Sequence, residues 1–131
     1  MIFLDTSAIY AWADAADPNH HTSVRRLQAI LERGEELFTH NYVLVESVAL
    51  LQARLGLAAA IKLAKDSTAF VIEWVEDDLH ASGLRELERS KKRHLSLVDH
   101  ISFLVMRRRD VATAFAFDPD FTSAGFRLFE G

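Results

Sequence analysis

Cysteine is absent from the 131 residues, so the chain has no disulfide framework, no thiolate metal site and no cysteine nucleophile. Proline occurs only twice and glycine five times, and no Pro/Gly/Ser-rich stretch offers a linker between domains. The length falls within the common domain size of about 100–150 residues, so residues 1–131 are expected to form one domain. Long apolar runs are also missing. The longest, Tyr42 to Ala53, is interrupted by Glu46 and falls short of the ~18–20 residues that cross a bilayer. Met1-Ile2-Phe3-Leu4-Asp5 has no basic leader ahead of its apolar residues, unlike a secretion signal. These absences point to a soluble, cytoplasmic protein with no membrane partner. What is present is an ordinary globular balance, 50% apolar and 26% charged, which excludes a disordered or fibrous chain.

The net charge of −4 argues against a protein that coats nucleic acid indiscriminately. Its distribution is uneven. Arg85 to Arg109 hold eight Lys/Arg against three acids, a local +5 that leaves −9 for the rest. A basic flank beside an acidic centre is one reading; solvated helix ends rich in Arg and Lys is the other.

Ile2-Phe3-Leu4 is a short apolar run ending at Asp5-Thr6-Ser7, the pattern of a buried strand that passes into a helix. Asp17-Pro18 supplies a cap followed by proline at a first helical position, and Val24, Leu27, Ile30 and Leu31 recur at helical spacing until Gly34. Leu37-Phe38-Thr39 is a strand candidate, Asn41 a cap, and Tyr42 to Leu55 a helix stopped by Gly56. Leu57 to Lys65 reads as helix and Ala69 to Val75 as strand. Asp77 or Asp78 is expected to cap a helix to about Lys92, and Ser96-Leu97-Val98-Asp99 to open another as a capping box. Val111 to Phe117 and Phe126 to Phe129 read as strands around the turn Asp118-Pro119-Asp120. Short apolar strands separated by helices predict right-handed crossovers and a parallel sheet covered on both faces, with ligands at the carboxyl ends of the strands. Trp12, Phe38 and Trp74 are expected in the core.

Four acids do not fit their surroundings. Asp5 ends an apolar strand, where it either caps the next helix or serves a site. Glu46 has Tyr42, Val43, Ala49 and Leu50 as its helical neighbours, which places it on or beside the stripe facing the core. There it needs a partner, such as Arg54, or an ion. Asp99 fits the capping box but also neighbours Phe103 and Met106, and Asp118 starts a turn directly after a predicted strand. Together they lie at one edge of the sheet, where like charges repel unless a cation sits between them. Oxygen ligands without cysteine favour Mg²⁺ or Mn²⁺ over Zn²⁺. No histidine spacing forms an alternative centre.

In their order the segments Ile2-Phe3-Leu4-Asp5-Thr6-Ser7-Ala8, Asp17-Pro18-Asn19-His20-His21, Val43-Leu44-Val45-Glu46, Leu95-Ser96-Leu97-Val98-Asp99 and Phe117-Asp118-Pro119-Asp120-Phe121, closed by Gly125-Phe126, resemble a PIN domain. Within that family they resemble the VapC-type ribonuclease toxins of toxin–antitoxin pairs. The resemblance spans nearly the whole chain. It implies a three-layer α/β/α sandwich on a five-stranded parallel sheet, and a Mg²⁺- or Mn²⁺-dependent endoribonuclease. Asp5 and Asp99 would bind the principal ion directly, and Glu46 and Asp118 through water or by holding a second ion. Thr6 or Ser7 would offer a hydroxyl to water or to a substrate phosphate, and Asp120 is an additional acid. Ala116 departs from the family, which often places Thr or Ser there. Metal-activated water would attack the RNA phosphorus in line, leaving a 5′-phosphate and a 3′-hydroxyl. Arg85, Arg89, Lys91, Lys92 and Arg93 are the candidates for steering the RNA backbone. The family further implies a homodimer and a cognate antitoxin whose tail covers the acidic site.

Receiver and haloacid-type phosphotransfer domains share an Asp after the first strand, but Asp5-Thr6-Ser7 carries neither the acidic pair of the first nor the D-x-D of the second. The main alternative is a non-catalytic PIN-like scaffold that binds RNA or protein. Loss of one of the four acids would favour it, and none is lost.

Overall fold

The computed structural model describes residues 1–131. Five parallel strands, β1 (Ile2–Leu4), β2 (Leu37–His40), β3 (Val71–Glu73), β4 (Thr113–Phe115) and β5 (Arg127–Leu128), form one sheet in the order β3-β2-β1-β4-β5. Between β1 and β2 lie α1 (Thr6–Ala13) and α2 (His20–Glu32), and between β2 and β3 lie α3 (Asn41–Leu55) and α4 (Leu57–Asp66). Helices α5 (Asp77–Ser90) and α6 (Leu97–Arg108) connect β3 to β4, and the short α7 (Asp120–Ser123) precedes β5. The chain steps one way across the sheet from β1 to β3, then jumps back to β4 and β5. Right-handed crossovers therefore put α1–α4 on one face and α5–α7 on the other. The result is the expected three-layer α/β/α sandwich. The direction reverses between β1 and β4, where Phe3 pairs with Ala114 and Leu4 with Phe115, and that switch point opens a crevice at the carboxyl ends of the two strands.

The sheet is anchored by aromatic packing. Phe3 is fully buried, edge-on to Phe38 at 5.3 Å and tilted against Phe121 at 5.9 Å, and each such ring contributes roughly 1.5–3 kcal/mol of burial. Every residue of β1 is buried, as a strand covered on both faces requires.

Several local expectations need correction. Asp17-Pro18 forms a turn in which Asp17 Oδ1 accepts from Asn19 N–H at 2.8 Å, and α2 begins only at His20, with Asn19 as a cap that makes no side-chain bond. His40, not Asn41, caps α3, accepting from the Val43 N–H; the Asn41 carboxamide instead accepts from the Val75 N–H. Glu76 occupies the cap position of α5 without bonding, and Asp77 and Asp78 lie in its first turn. The strands predicted at Ala69–Val75 and Val111–Phe117 shrink to three residues each, β3 and β4. The last pair on the β2 side is His40 with Glu73, so Trp74 falls beyond the ladder, 64% exposed rather than in the core. Phe38 is buried as expected, and Trp12 lies half-buried on the wall of an apolar cleft of about 530 Å³ on the α1–α4 face.

Helices α5 and α6 meet closely at Gly83, where an added Cβ would stand 2.4 Å from Ile101 Cδ1 and 3.1 Å from Leu97 Cδ1. Ile101 is fully buried, so it has little room to yield. Gly83→Leu is expected to cost about 1–3 kcal/mol by overpacking, measured by urea unfolding. Unchanged stability would mean that the two helices separate freely.

Candidate active site

Asp5 is the N-cap of α1 and only 6% exposed. Its Oδ2 accepts from the Ser7 N–H at 3.1 Å and from the Ser7 hydroxyl at 2.6 Å. The same hydroxyl oxygen accepts from Phe117 N–H at 2.9 Å, while Asp5 N–H donates to Phe115 O at 3.1 Å. Ser7 thus ties the end of β1 to the end of β4 across the switch point, and it holds one carboxylate oxygen of Asp5. The other, Oδ1, has no protein partner; because no fully enclosed side-chain oxygen lacks one, Oδ1 keeps some contact with solvent. Burial pushes the Asp5 carboxyl up to about 6, against the Ser7 hydrogen bonds, and the charges of Asp99 and Asp118 add to the rise.

Asp99 sits in the first turn of α6 inside the capping box foreseen from the sequence. Ser96 N–H donates to Asp99 Oδ2 at 2.9 Å, and Asp99 N–H donates to Ser96 Oγ at 3.1 Å. Asp118 follows β4, and its Oδ1 accepts from the Asp120 N–H at 2.9 Å. Burial also raises the Asp118 carboxyl above the usual carboxylate range, with the Asp120 charge adding to it. His94 Nε2 lies 3.4 Å from Asp120 Oδ1, so the loop between α5 and α6 leans on this edge.

Glu46 differs from these three in its surroundings. It is exposed on α3, whose buried line runs through Val43, Ser47 and Leu51. The expectation that it lies along the core stripe is corrected: of the helical neighbours that placed it there, only Val43 is buried, Tyr42 and Leu50 are half-buried, and Ala49 faces solvent. Glu46 is also not ion-paired with Arg54, whose guanidinium stacks over Tyr10 at 5.1 Å. The next residue, Ser47, donates to Thr6 Oγ1 at 3.4 Å, which keeps this part of α3 beside the start of α1.

As the side chains stand, no three carboxylates or imidazoles converge at ligand distance. The donor set nonetheless fits a hard divalent cation. It is made wholly of oxygens, its central member has one carboxylate oxygen without a protein partner, and the charges of Asp99 and Asp118 raise the cost of ionising that member. An ion there would draw the acids inward or reach the more distant ones through its waters.

Ser7, expected as a hydroxyl for water or phosphate, already donates its proton to Asp5 and accepts from Phe117 N–H. Thr6 keeps its own proton free, since the Thr6 oxygen only accepts. The strut formed by Ser7 was not legible in the sequence; its only signal is a serine two residues after the strand-ending acid. His40, missed in the same way, is treated below.

The basic candidates Arg85, Arg89, Lys91, Lys92 and Arg93 are all exposed along the last turns of α5 and the loop that follows. That loop leads directly into Ser96 and Asp99. Arg89 pairs with Glu86, and Arg85 donates to Ser82 Oγ at 2.9 Å. These are solvated contacts that phosphate can displace.

A parallel sheet with buried Asp5 at its switch point and Asp99 and Asp118 beside it defines a class. The chain belongs to the PIN domain family, whose model matches residues 2–127. It is 41% identical over 128 residues to the protein named 23S rRNA-specific endonuclease VapC20 in two strains of Mycobacterium tuberculosis, CDC 1551 / Oshkosh and H37Rv, covering 96% of this chain and 95% of the relative. The crystal structure of Mycobacterium tuberculosis VapC20, described as a sarcin-ricin loop cleaving toxin, is also similar. It superposes with a TM-score of 0.84 at 38% identity, covering 96% of each chain. The protein is an endonuclease of the VapC type, a group of PIN-domain enzymes that depend on a divalent cation. No helix is long and apolar enough to cross a membrane.

The raised pKa of Asp5 makes a signed prediction. Its folded value of about 6 exceeds the reference of 3.8, so the folded state binds the proton more tightly. That stabilisation is complete below about pH 4 and is lost as pH rises through about 6. In EDTA at pH 7.5, Asp5→Asn is therefore expected to unfold at higher urea than wild type, by on the order of 2–3 kcal/mol, and the gap should close near pH 4. A variant less stable than wild type at pH 7.5 would contradict a destabilising buried charge.

Proposed function

We propose that the chain is the toxin of a toxin–antitoxin pair and cuts ribosomal RNA at the sarcin-ricin loop of 23S rRNA. The activity of VapC20 and the identity along almost the whole of both chains support the target. The observation that carries the chemistry is Asp5, a carboxylate buried at the switch point between β1 and β4 and opposed by the charges of Asp99 and Asp118. Such a group is costly unless a cation shares it. Asp5 and Asp99 would hold Mg²⁺, or Mn²⁺ in its place. Asp118 and Glu46 would act through water or a second ion. When bound, the cation lowers the pKa of water and neutralises charge at the reacting phosphate.

The protein's own groups divide the remaining work. Ser7 fixes the Asp5 oxygen that faces the protein and leaves Oδ1 for the site; Ser96 does the same for Asp99 through Oδ2. Thr6 offers the free hydroxyl at the mouth of the crevice. Asp120 orients Asp118 through its backbone N–H and receives His94 at the rim. Arg85, Arg89, Lys91, Lys92 and Arg93 gather the RNA backbone beside α6 and lower the cost of bringing a polyanion to an acidic centre. Water attacks phosphorus in line with the departing 3′-oxygen, which takes up a proton and leaves as the 3′-hydroxyl. The phosphate stays on the 5′-oxygen of the downstream fragment, and the ribose 2′-hydroxyl is not the nucleophile. Residues 1–131 act as one nuclease domain, work as a homodimer, and are silenced by a cognate antitoxin whose tail places a basic side chain among the same acids.

The test is cleavage of a sarcin-ricin loop oligonucleotide and of whole ribosomal RNA with Mg²⁺, Mn²⁺ or EDTA. Wild type is expected to give 5′-phosphate ends only with a divalent ion, and Asp5→Asn and Asp99→Asn to cut at least about 100-fold more slowly. Cutting in EDTA, or by both variants at the wild-type rate, would overturn the reading. Arg85→Ala and Arg89→Ala are expected to raise KM with little change in kcat, and each to flatten the log–log salt dependence of binding by about 0.7–0.9. An unchanged slope would remove that residue from the RNA path.

A further inference from the structure

The carboxyl end of β2 buries two polar residues, Thr39 and His40, both fully enclosed. The Thr39 hydroxyl donates to Leu4 O at 2.8 Å and is accounted for by strand-to-strand bonding. His40 is different. Its Nδ1 accepts from the Val43 N–H at 3.4 Å, capping α3, and its Nε2 lies 2.9 Å from Ser102 Oγ. The Ser102 hydroxyl donates to Val98 O at 2.9 Å, so its oxygen accepts from His40 Nε2–H. The imidazole is then the neutral Nε2–H tautomer with both nitrogens used. Burial lowers its pKa to about 3, which keeps it neutral. The ring is stacked on Phe3 at 5.9 Å and meets Tyr42 edge-on, leaving it no freedom to turn.

Apolar side chains would fill this space without the desolvation cost of a histidine and a serine. Ser102 lies among Ile101, Phe103, Val105 and Met106, all buried. The polar pair sits on the strand-end edge that carries the acids, and it joins two helices that each present one. Val43, bonded to His40, is three residues before Glu46 on α3; Val98, bonded to Ser102, is adjacent to Asp99 on α6. These two helices lie on opposite faces of the sheet, and a directional chain of hydrogen bonds fixes their separation more narrowly than apolar packing does.

We infer that His40 and Ser102 are positioning residues: a buried clamp through the end of β2 that sets the placement of α3 with Glu46 against α6 with Asp99, and so the affinity of the acidic edge for its divalent cation. The inference rests on the metal-dependent reading of that edge. Neither residue touches ion or RNA.

The test compares Ser102→Ala, His40→Asn and a control, Ile30→Val, at a fully buried position in the last turn of α2. Ser102→Ala removes a single oxygen; His40→Asn keeps an acceptor for Val43 N–H but cannot reach Ser102. Melting temperature, Mn²⁺ affinity by calorimetry, and kcat and KM on RNA are measured for each, with nitrogen-resolved NMR of His40 in the wild type. The wild type should show a neutral Nε2–H imidazole that does not titrate between pH 5 and 8. Ser102→Ala and His40→Asn should weaken Mn²⁺ binding about tenfold or more and lower kcat at unchanged KM, whereas Ile30→Val lowers the melting temperature and leaves Mn²⁺ affinity intact. Equal Mn²⁺ affinity in wild type and Ser102→Ala overturns the clamp alone, as does the same loss in Ile30→Val. A wild type that binds no Mn²⁺ and cuts no RNA overturns the metal reading and the clamp's role with it.

Discussion

A carboxylate buried at the end of the first strand is the constraint around which this protein is arranged. Asp5 is enclosed because β1 is covered on both faces and lies next to the sheet's switch point, so the residue that leaves the strand cannot reach bulk water fully. Two features offset its charge. It caps α1, where the helix N-terminus is electropositive, and it accepts two hydrogen bonds from Ser7. They are insufficient against burial and the neighbouring charges of Asp99 and Asp118, and the carboxyl remains raised to about 6. A fold optimised for stability alone would put asparagine or serine at such a cap. Retaining an acid there, with one oxygen fixed by the protein and the other turned to solvent, is the arrangement expected where a cation completes the balance.

The remainder of the edge follows from the same topology. The reversal between β1 and β4 brings the residues after both strands to one crevice, and Ser7 fastens the two strand ends together with one hydroxyl. The capping box delivers Asp99 at the start of α6, again at a helix N-terminus. Charge of the opposite sign is kept just outside. The loop carrying Lys91, Lys92 and Arg93 runs into α6 and touches Asp120 through His94, so on the proposed RNA path a polyanion meets cations before it meets carboxylates. An overall net charge of −4 and an affinity for nucleic acid are compatible because the two signs are segregated by a few residues of chain.

The layout was largely legible in the sequence. The strand-ending position of Asp5, the Ser96–Asp99 box, the helix stopped by Gly56 and the alternation that implies a covered parallel sheet all rest on local rules that the fold obeys. What was not legible depends on contacts between distant segments. The apolar neighbours Tyr42, Val43, Ala49 and Leu50 point Glu46 toward the core, yet Ala49 and Glu46 face solvent and the buried line runs through Val43, Ser47 and Leu51. Trp74 has strand propensity but lies just past the last ladder pair. Asp17-Pro18 matches a helix start, and a self-contained turn claims it first. The strut made by Ser7, a residue the sequence offers instead as a hydroxyl for water or phosphate, and the role of His40 were not legible because each acts through a partner far along the chain: Phe117 for the first, Ser102 for the second.

The central claim is that the acids at this edge share a divalent cation, and the most direct measurement is an anomalous difference map, at the manganese absorption edge, from crystals of the free protein grown with Mn²⁺. The account predicts a strong peak in the crevice between β1 and β4, bonded directly to Asp5 Oδ1 and to Asp99, with Asp118 and Glu46 at water-mediated distance or around a second, weaker peak. A crevice empty at saturating Mn²⁺, or an ion held elsewhere with Asp5 unengaged, would contradict it.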